Sequence, residues 1–101
     1  MAEDFPFGYT LSLINGKYKM IIMYCLYQNK PVIRFNELKR SINNISFKTL
    51  SNTLKELESD ELIVRTQYSQ IPPKVEYSLS ERGLSLMPIF DLMCEWGIKN
   101  R

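Results

Sequence analysis

The amino-acid sequence predicts an α+β fold that is mainly helical and ends in a short antiparallel hairpin followed by a final helix. Residues 17–28 are apolar almost all round, which is typical of a buried central helix. Residues 46–60 carry apolar side chains at spacings of three and four. Residues 62–79 change to strand-like alternation interrupted by two prolines. A length of 101 residues fits one domain.

The first part of the chain is expected to contain an arm and two helices. Residues 1–8 include Pro6 and Gly8 and are predicted to form an extended N-terminal arm. A short helix then begins at Tyr9 or Thr10, and Asn15-Gly16 is a good left-handed cap for its end. The central helix follows at once, and Asn29-Lys30-Pro31 stops it.

Residues 36–60 predict a helix–turn–helix unit. Asn36 is the expected cap of a helix that runs through Ile42, and a tight turn follows at residues 43–45. Ser46 is the expected cap of the second helix, about residues 46–60. Its apolar stripe is expected to face the core and consists of Phe47, Leu50, Leu54 and Leu57. Two helices joined by so short a turn are typical of a helix–turn–helix.

The last part of the chain predicts a wing, which is a hairpin of two or three antiparallel strands over residues 62–79, and then one helix. The two strands are residues 62–68 and 75–79, and the loop contains Pro72-Pro73, which cannot donate hydrogen bonds to a ladder. Ser80 is the expected cap of a C-terminal helix at residues 80–99. This order of elements is that of a winged helix-turn-helix.

Charge and composition exclude several function classes. The net charge is only +2, but the positive charge is concentrated in residues 30–48, a weak footprint of a polyanionic partner. The chain has no histidine, so the commonest general base is absent and we predict no enzyme. Two cysteines without histidine cannot form an ordinary zinc site, and no cofactor is predicted. No secretory leader or long apolar run is evident, so we expect a cytoplasmic protein.

Five motifs in order make the sequence resemble the HxlR family of bacterial-type winged helix-turn-helix transcription regulators, from Tyr9 to Trp96. The motifs lie at residues 13–19 (LINGKYK), 34–38 (RFNEL), 45–50 (ISFKTL), 54–58 (LKELE) and 72–80 (PPKVEYSLS). The resemblance implies a homodimer that binds operator DNA through the helix beginning at Ser46, with the hairpin as wing. Several family members sense oxidants through a cysteine before a proline in the N-terminal arm. Here that pair is Phe5-Pro6, so redox sensing by this route is not expected.

The DNA-contacting residues are expected on the side of helix 46–60 opposite its leucines. Lys48 suits guanine or phosphate, Asn52 suits adenine, and Ser46 and Thr49 reach phosphate. The contacting surface is expected to end near Lys55, because glutamates follow it. Phosphate contacts beside the groove are predicted for Arg34, Lys39 and Lys74. The alternative is a plain amphipathic helix with a solvated polar face and ordinary surface charge around it.

The C-terminal helix has more apolar side chains than one small core needs. Phe90, Met93 and Trp96 lie on one line that can cover the core of the domain. The remaining apolar surface predicts homodimerisation through the N-terminal and C-terminal helices, with Leu11, Leu13 and Ile14 contributing, and binding to a palindromic operator. A small-ligand groove between these helices, a ligand-gated sensor and a winged-helix protein-interaction module are the alternatives. Cys25 and Cys94 lie among apolar residues and are expected to be buried and unreactive.

Overall fold

The computed structural model describes residues 5–29 and 31–101. In this part of the chain six helices and two strands follow one another: α1 (Pro6–Ile14), α2 (Lys19–Gln28), α3 (Phe35–Ser41), α4 (Phe47–Ser59), β1 (Ile63–Tyr68), β2 (Lys74–Leu79), α5 (Glu81–Leu84) and α6 (Met87–Asn100). The predicted winged helix-turn-helix is confirmed, with α3 and α4 as the helix–turn–helix and β1–β2 as the wing. No helix among the described residues combines the length and apolar character needed to span a bilayer.

The core lies where α2 meets α3, α6 and β2, and α4 and β1 add further side chains to it. On α2, Ile22 and Met23 are fully buried, as expected for a helix so short of polar residues. Three leucines of α4 form the predicted stripe and are also buried, namely Leu50, Leu54 and Leu57. Burying a side chain of this size contributes about 1.5–3 kcal/mol. The leucine stripe therefore fixes which side of α4 faces the body of the domain and which side faces water.

The wing is a two-stranded antiparallel sheet in which Ile63 pairs with Leu79 and Tyr68 with Lys74. Ile33 adds one isolated bridge to β2 just before α3. Its backbone N–H donates to the Tyr77 carbonyl at 2.9 Å, and the Tyr77 N–H donates to the Ile33 carbonyl at 2.8 Å. This bridge joins the wing to the start of the helix–turn–helix, so it fixes the orientation of the wing relative to the helix–turn–helix.

The predicted N-terminal arm is wrong for residues 6–8, because α1 already begins at Pro6. Residues 1–4 of that arm lie outside the described residues. Proline favours the first turn of a helix, since its fixed φ angle is helical and no N–H is needed there. Gly8 is buried within this turn, which an extended arm would not allow. The helix ends at Ile14, before Asn15-Gly16 as expected, but the cap is not left-handed helical, because Asn15 is extended and Gly16 has a φ angle of +125°.

Two further predicted boundaries differ from the structure. The N-cap of α3 is Arg34 and not Asn36, because the Glu37 carboxylate accepts the Arg34 N–H at 3.2 Å and closes the first turn earlier. The predicted single helix 80–99 is wrong, since it divides into α5 and α6 with a break at residues 85–86. Pro88 lies in the first turn of α6, where a proline is tolerated, whereas it would disrupt a continuous helix.

Gly83 should not tolerate a side chain. It is buried in α5, and a Cβ atom added there would overlap the backbone carbonyl oxygen of Leu62, which accepts the Ser80 N–H at 3.1 Å. We expect Gly83→Ala to lower the free energy of unfolding by about 3 kcal/mol in urea denaturation. Gly97→Ala is the matched control, because a Cβ atom there meets nothing within 4 Å. It should raise stability by about 0.5–1 kcal/mol. Equal stabilities of the two variants would contradict this packing argument.

Candidate nucleic-acid interface

The first turn of α4 is closed by the predicted serine cap. The Ser46 Oγ atom accepts the Thr49 backbone N–H at 3.0 Å, and the Ser46 hydroxyl donates to Thr49 Oγ1 at 3.0 Å. The Thr49 hydroxyl therefore keeps its own proton as a donor for an outside acceptor. The remaining N–H groups of this turn give the helix N-terminus a partial positive charge, which favours an anion such as phosphate.

Lys48, Asn52 and Lys55 form the water-facing side of α4, opposite its buried leucines. All three are exposed, and no hydrogen bond or ion pair joins any of them to another described residue. The structure thus places together the polar residues that the sequence predicted for this face. Two cationic groups and one amide are free here to donate hydrogen bonds to a partner, and the amide also accepts.

The cationic face ends at a glutamate. Glu56 forms an ion pair with Lys19 at 3.2 Å, and only 13% of the Lys19 side chain is exposed. This contact joins the start of α2 to the last turn of α4 and offsets the negative charge of Glu56. Glu58 is exposed on the same helix. On α4 the exposed cationic side chains therefore lie between the Ser46 cap and Lys55, and glutamates follow them.

A second group of cations lies between α3 and the wing. Arg34, Arg40 and Lys74 line one cavity of about 660 Å³ there. The structure therefore brings Arg34 and Lys74 together and adds Arg40, which the prediction of phosphate contacts left out. The sequence did indicate a role for Arg40, because this residue belongs to the basic segment 30–48. Lys39 is half-buried and is not among the residues that line this cavity.

The charge of Lys74 is partly offset within the wing. Its ammonium group lies 3.4 Å from the Glu76 carboxylate and 4.8 Å from the centre of the Tyr68 ring. The Tyr68 hydroxyl donates to Glu76 at 3.0 Å, and this hydrogen bond raises the pKa of Tyr68. Among the three cations of the cavity, Arg34 and Arg40 carry the less compensated charges.

Phe47 does not belong to the core, which corrects the predicted apolar stripe. Its side chain is 66% exposed, although it is the first residue of α4 and has helical spacing with the leucines. One side of its ring packs against Phe35, with centroids 5.0 Å apart and planes tilted by 53°. At a helix end the next turn is missing, so helical spacing alone does not bury a side chain.

The terminal helices expose a separate apolar surface. On α6, Phe90 is buried as expected, but Met93 and Trp96 are not, so the predicted line of core residues is wrong beyond Phe90. Five large apolar side chains of α6 are exposed, namely Ile89, Leu92, Met93, Trp96 and Ile98. On α1, Leu11 is exposed while Ile14 is buried and unavailable to a partner. Helix α6 therefore has two apolar sides, and the domain itself uses only one.

The two cysteines differ in environment. Cys25 is half-buried on α2, and burial raises the pKa of its thiol, which lowers its reactivity. Cys94 is exposed on α6, so the expectation that both thiols are buried is wrong for Cys94. Within the described ranges, residues 5–29 and 31–101, no three side chains of the metal-binding types come together.

Comparison with known proteins places this arrangement in a family. The model of the HxlR-like helix-turn-helix family matches residues 13–101. The chain belongs to the HxlR-like helix-turn-helix family. It is 59% identical over 99 residues to an HTH-type transcriptional regulator of Halalkalibacterium halodurans, covering 98% of this chain and 87% of that protein. It is 56% identical over 97 residues to the HTH-type transcriptional regulator YdzF of Bacillus subtilis, covering 96% and 88%.

Solved structures of other regulators share the fold closely. The reduced form of the redox regulator HypR superposes with a TM-score of 0.88 at 44% identity, covering 96% of this chain and 94% of that one. The reduced form of the transcriptional regulator YodB from B. subtilis gives 0.82 at 32% identity, covering 95% and 94%. The resemblance drawn from the sequence motifs is thus confirmed, and the relatives named here are transcription regulators rather than enzymes.

Proposed function

We propose that this member of the HxlR-like family is a sequence-specific DNA-binding transcription regulator that binds a palindromic operator as a homodimer. The observation that carries the proposal is the water-facing side of α4. It combines a capped helix N-terminus with Lys48, Asn52 and Lys55, none of them engaged by another described residue. A recognition helix contacts base edges through its N-terminal half, which is where Lys48 and Asn52 lie.

The base contacts are assigned to the centre of this face. Lys48 donates to guanine O6 and N7 or to a phosphate, and the Asn52 amide forms paired hydrogen bonds with the N6 and N7 atoms of adenine. Thr49 donates its free hydroxyl proton to the sugar-phosphate backbone. Ser46 and Lys55 lie at the two ends of the contact surface. Because the leucines hold the opposite side of α4 in the core, the helix inserts without rearrangement.

Flanking phosphates are assigned to the cations between α3 and the wing. Arg34 and Arg40 are both exposed there, and neither forms an ion pair with another described residue, although Glu37 lines the same cavity. Lys74 contributes less, because Glu76 lies beside it. Lys39 remains a proposed contact from the other side of α3. Phosphate contacts of this kind fix the register of the protein on the duplex without reading its sequence.

The homodimer is assigned to the apolar sides of α1 and α6. Leu92 and Trp96 are 65% and 69% exposed, a large apolar surface for a monomer of this size. A second copy is the occupant we choose, because a two-fold dimer places two identical recognition helices one DNA turn apart, about 34 Å. Met93 also lines an apolar cavity of about 380 Å³ between α2 and α6, the feature that favours a ligand-gated alternative. Met93 belongs both to the exposed apolar side of α6 and to this cavity. In our proposal the partner subunit therefore borders the cavity.

Selection from a random library of 24-bp duplexes, followed by a salt titration, tests the proposed function. We expect enrichment of palindromic duplexes and a steep loss of affinity with ionic strength. The four cations assigned to flanking phosphates in each subunit make eight contacts per dimer, which predict a slope of about −7 for log K against log salt concentration. A protein-interaction module that docks through apolar surface lacks this dependence. Failure to enrich any duplex, or a slope near zero, would overturn the proposal.

A further inference from the structure

Phe47 is an exposed aromatic side chain on the part of α4 that the proposed function places in the major groove. Two-thirds of its surface is open to water, at a position where a polar side chain would be expected. One side of the ring rests on Phe35, whose own side chain is half-buried against the core. The ring is therefore held in place on one side and bare on the other.

The surroundings of Phe47 indicate a polyanionic partner. Phe47 lines a cavity of about 430 Å³ between α4 and the wing, together with two cations, Lys55 and Arg65, and one carboxylate, Glu58. Lys48 follows Phe47 directly in the sequence. Cations thus outnumber carboxylates beside this small apolar patch, and a protein partner would have to desolvate those charges. The patch suits a duplex groove, in which phosphates border the stacked bases.

We infer that Phe47 reads sequence by packing its exposed ring face on the C5-methyl group of a thymine. This inference rests on the proposed function and deepens it. The thymine methyl is the apolar group that base pairs present in the major groove, and phenylalanine is among the side chains that contact it. Residues in the first turn of a recognition helix are those that reach base edges. Because Phe35 already restrains the ring, little side-chain entropy is lost on binding.

Deoxyuridine substitution tests the contact, because uracil lacks only the methyl group. The probe is the palindromic duplex selected by the wild-type protein, with each symmetric pair of thymines replaced in turn by deoxyuridine. At one pair we expect the wild-type protein to lose affinity about fourfold per half-site. Phe47→Ala should bind the thymine duplex more weakly and show no further loss with deoxyuridine at that pair. Fluorescence anisotropy measures both effects.

Two variants complete the experiment. Val64→Ala removes an exposed apolar side chain from the wing and should keep the full discrimination between thymine and uracil. Phe47→Leu keeps an apolar contact and should retain part of the discrimination between thymine and uracil. This variant provides the test if Phe47→Ala does not fold. If the wild-type protein selects no duplex, the proposed function fails. If it binds tightly but no thymine pair shows a methyl effect that depends on residue 47, only the present inference is overturned.

Discussion

Lys48→Ala should lower the affinity for the selected duplex about 100-fold. Removing a lysine that contacts a base or a phosphate costs about 1.4 kcal/mol, and a dimer loses this contact in both half-sites. The thermal midpoint should not change, because Lys48 is exposed and has no partner among the described residues. Electrophoretic mobility shifts over a range of salt concentrations measure the loss.

The salt dependence distinguishes two roles of Lys48. A phosphate contact would reduce the salt slope by about two for the dimer, whereas a guanine contact would leave most of the slope and relax specificity at one position. Lys99→Ala is the matched control, since this exposed lysine lies in the last turn of α6 and should leave both affinity and slope unchanged. Full affinity of Lys48→Ala across the titration would show that the contact is wrongly assigned.

Trp96→Glu should convert the protein from a dimer into a monomer. In the proposed dimer the indole is covered by the second subunit, so a carboxylate there loses its hydration without gaining a partner. In the isolated subunit the same position is 69% exposed, and the domain should stay folded. Sedimentation equilibrium at micromolar concentration should give the monomer mass. Affinity for the palindrome should fall at least about 100-fold, because the two half-sites no longer bind together.

Ile71→Glu is the control for this charge substitution. Ile71 is 99% exposed in the wing loop, far along the chain from α1 and α6, so the variant should remain dimeric. A wild-type protein that sediments as a monomer, or a Trp96→Glu protein that remains dimeric, would refute the assignment of the dimer to α6. The DNA-binding face of α4 would not be affected by either result, because the two surfaces share no residue.

Local patterns in the sequence were enough to predict helix α4, its buried side and the loop of the wing. The cap at Ser46 depends on a serine and the N–H three residues later, and the leucines of α4 follow the helical repeat, so both were predictable. The Pro72-Pro73 pair marked the wing loop for a similarly local reason. Since Lys48, Asn52 and Lys55 lie opposite the leucines by helix geometry alone, the candidate contact face also followed from periodicity.

Contacts between elements distant in sequence decided the rest. Phe47 has the spacing of a core residue, but its side chain stays 66% exposed at the first turn of α4, where Phe35 packs against its ring. Arg40 joins Lys74 because the wing folds back beside α3, which no local pattern indicates. Trp96 is exposed because the core ends near Phe90. Helical spacing specifies the direction in which a side chain points, whereas burial also requires another element in that direction.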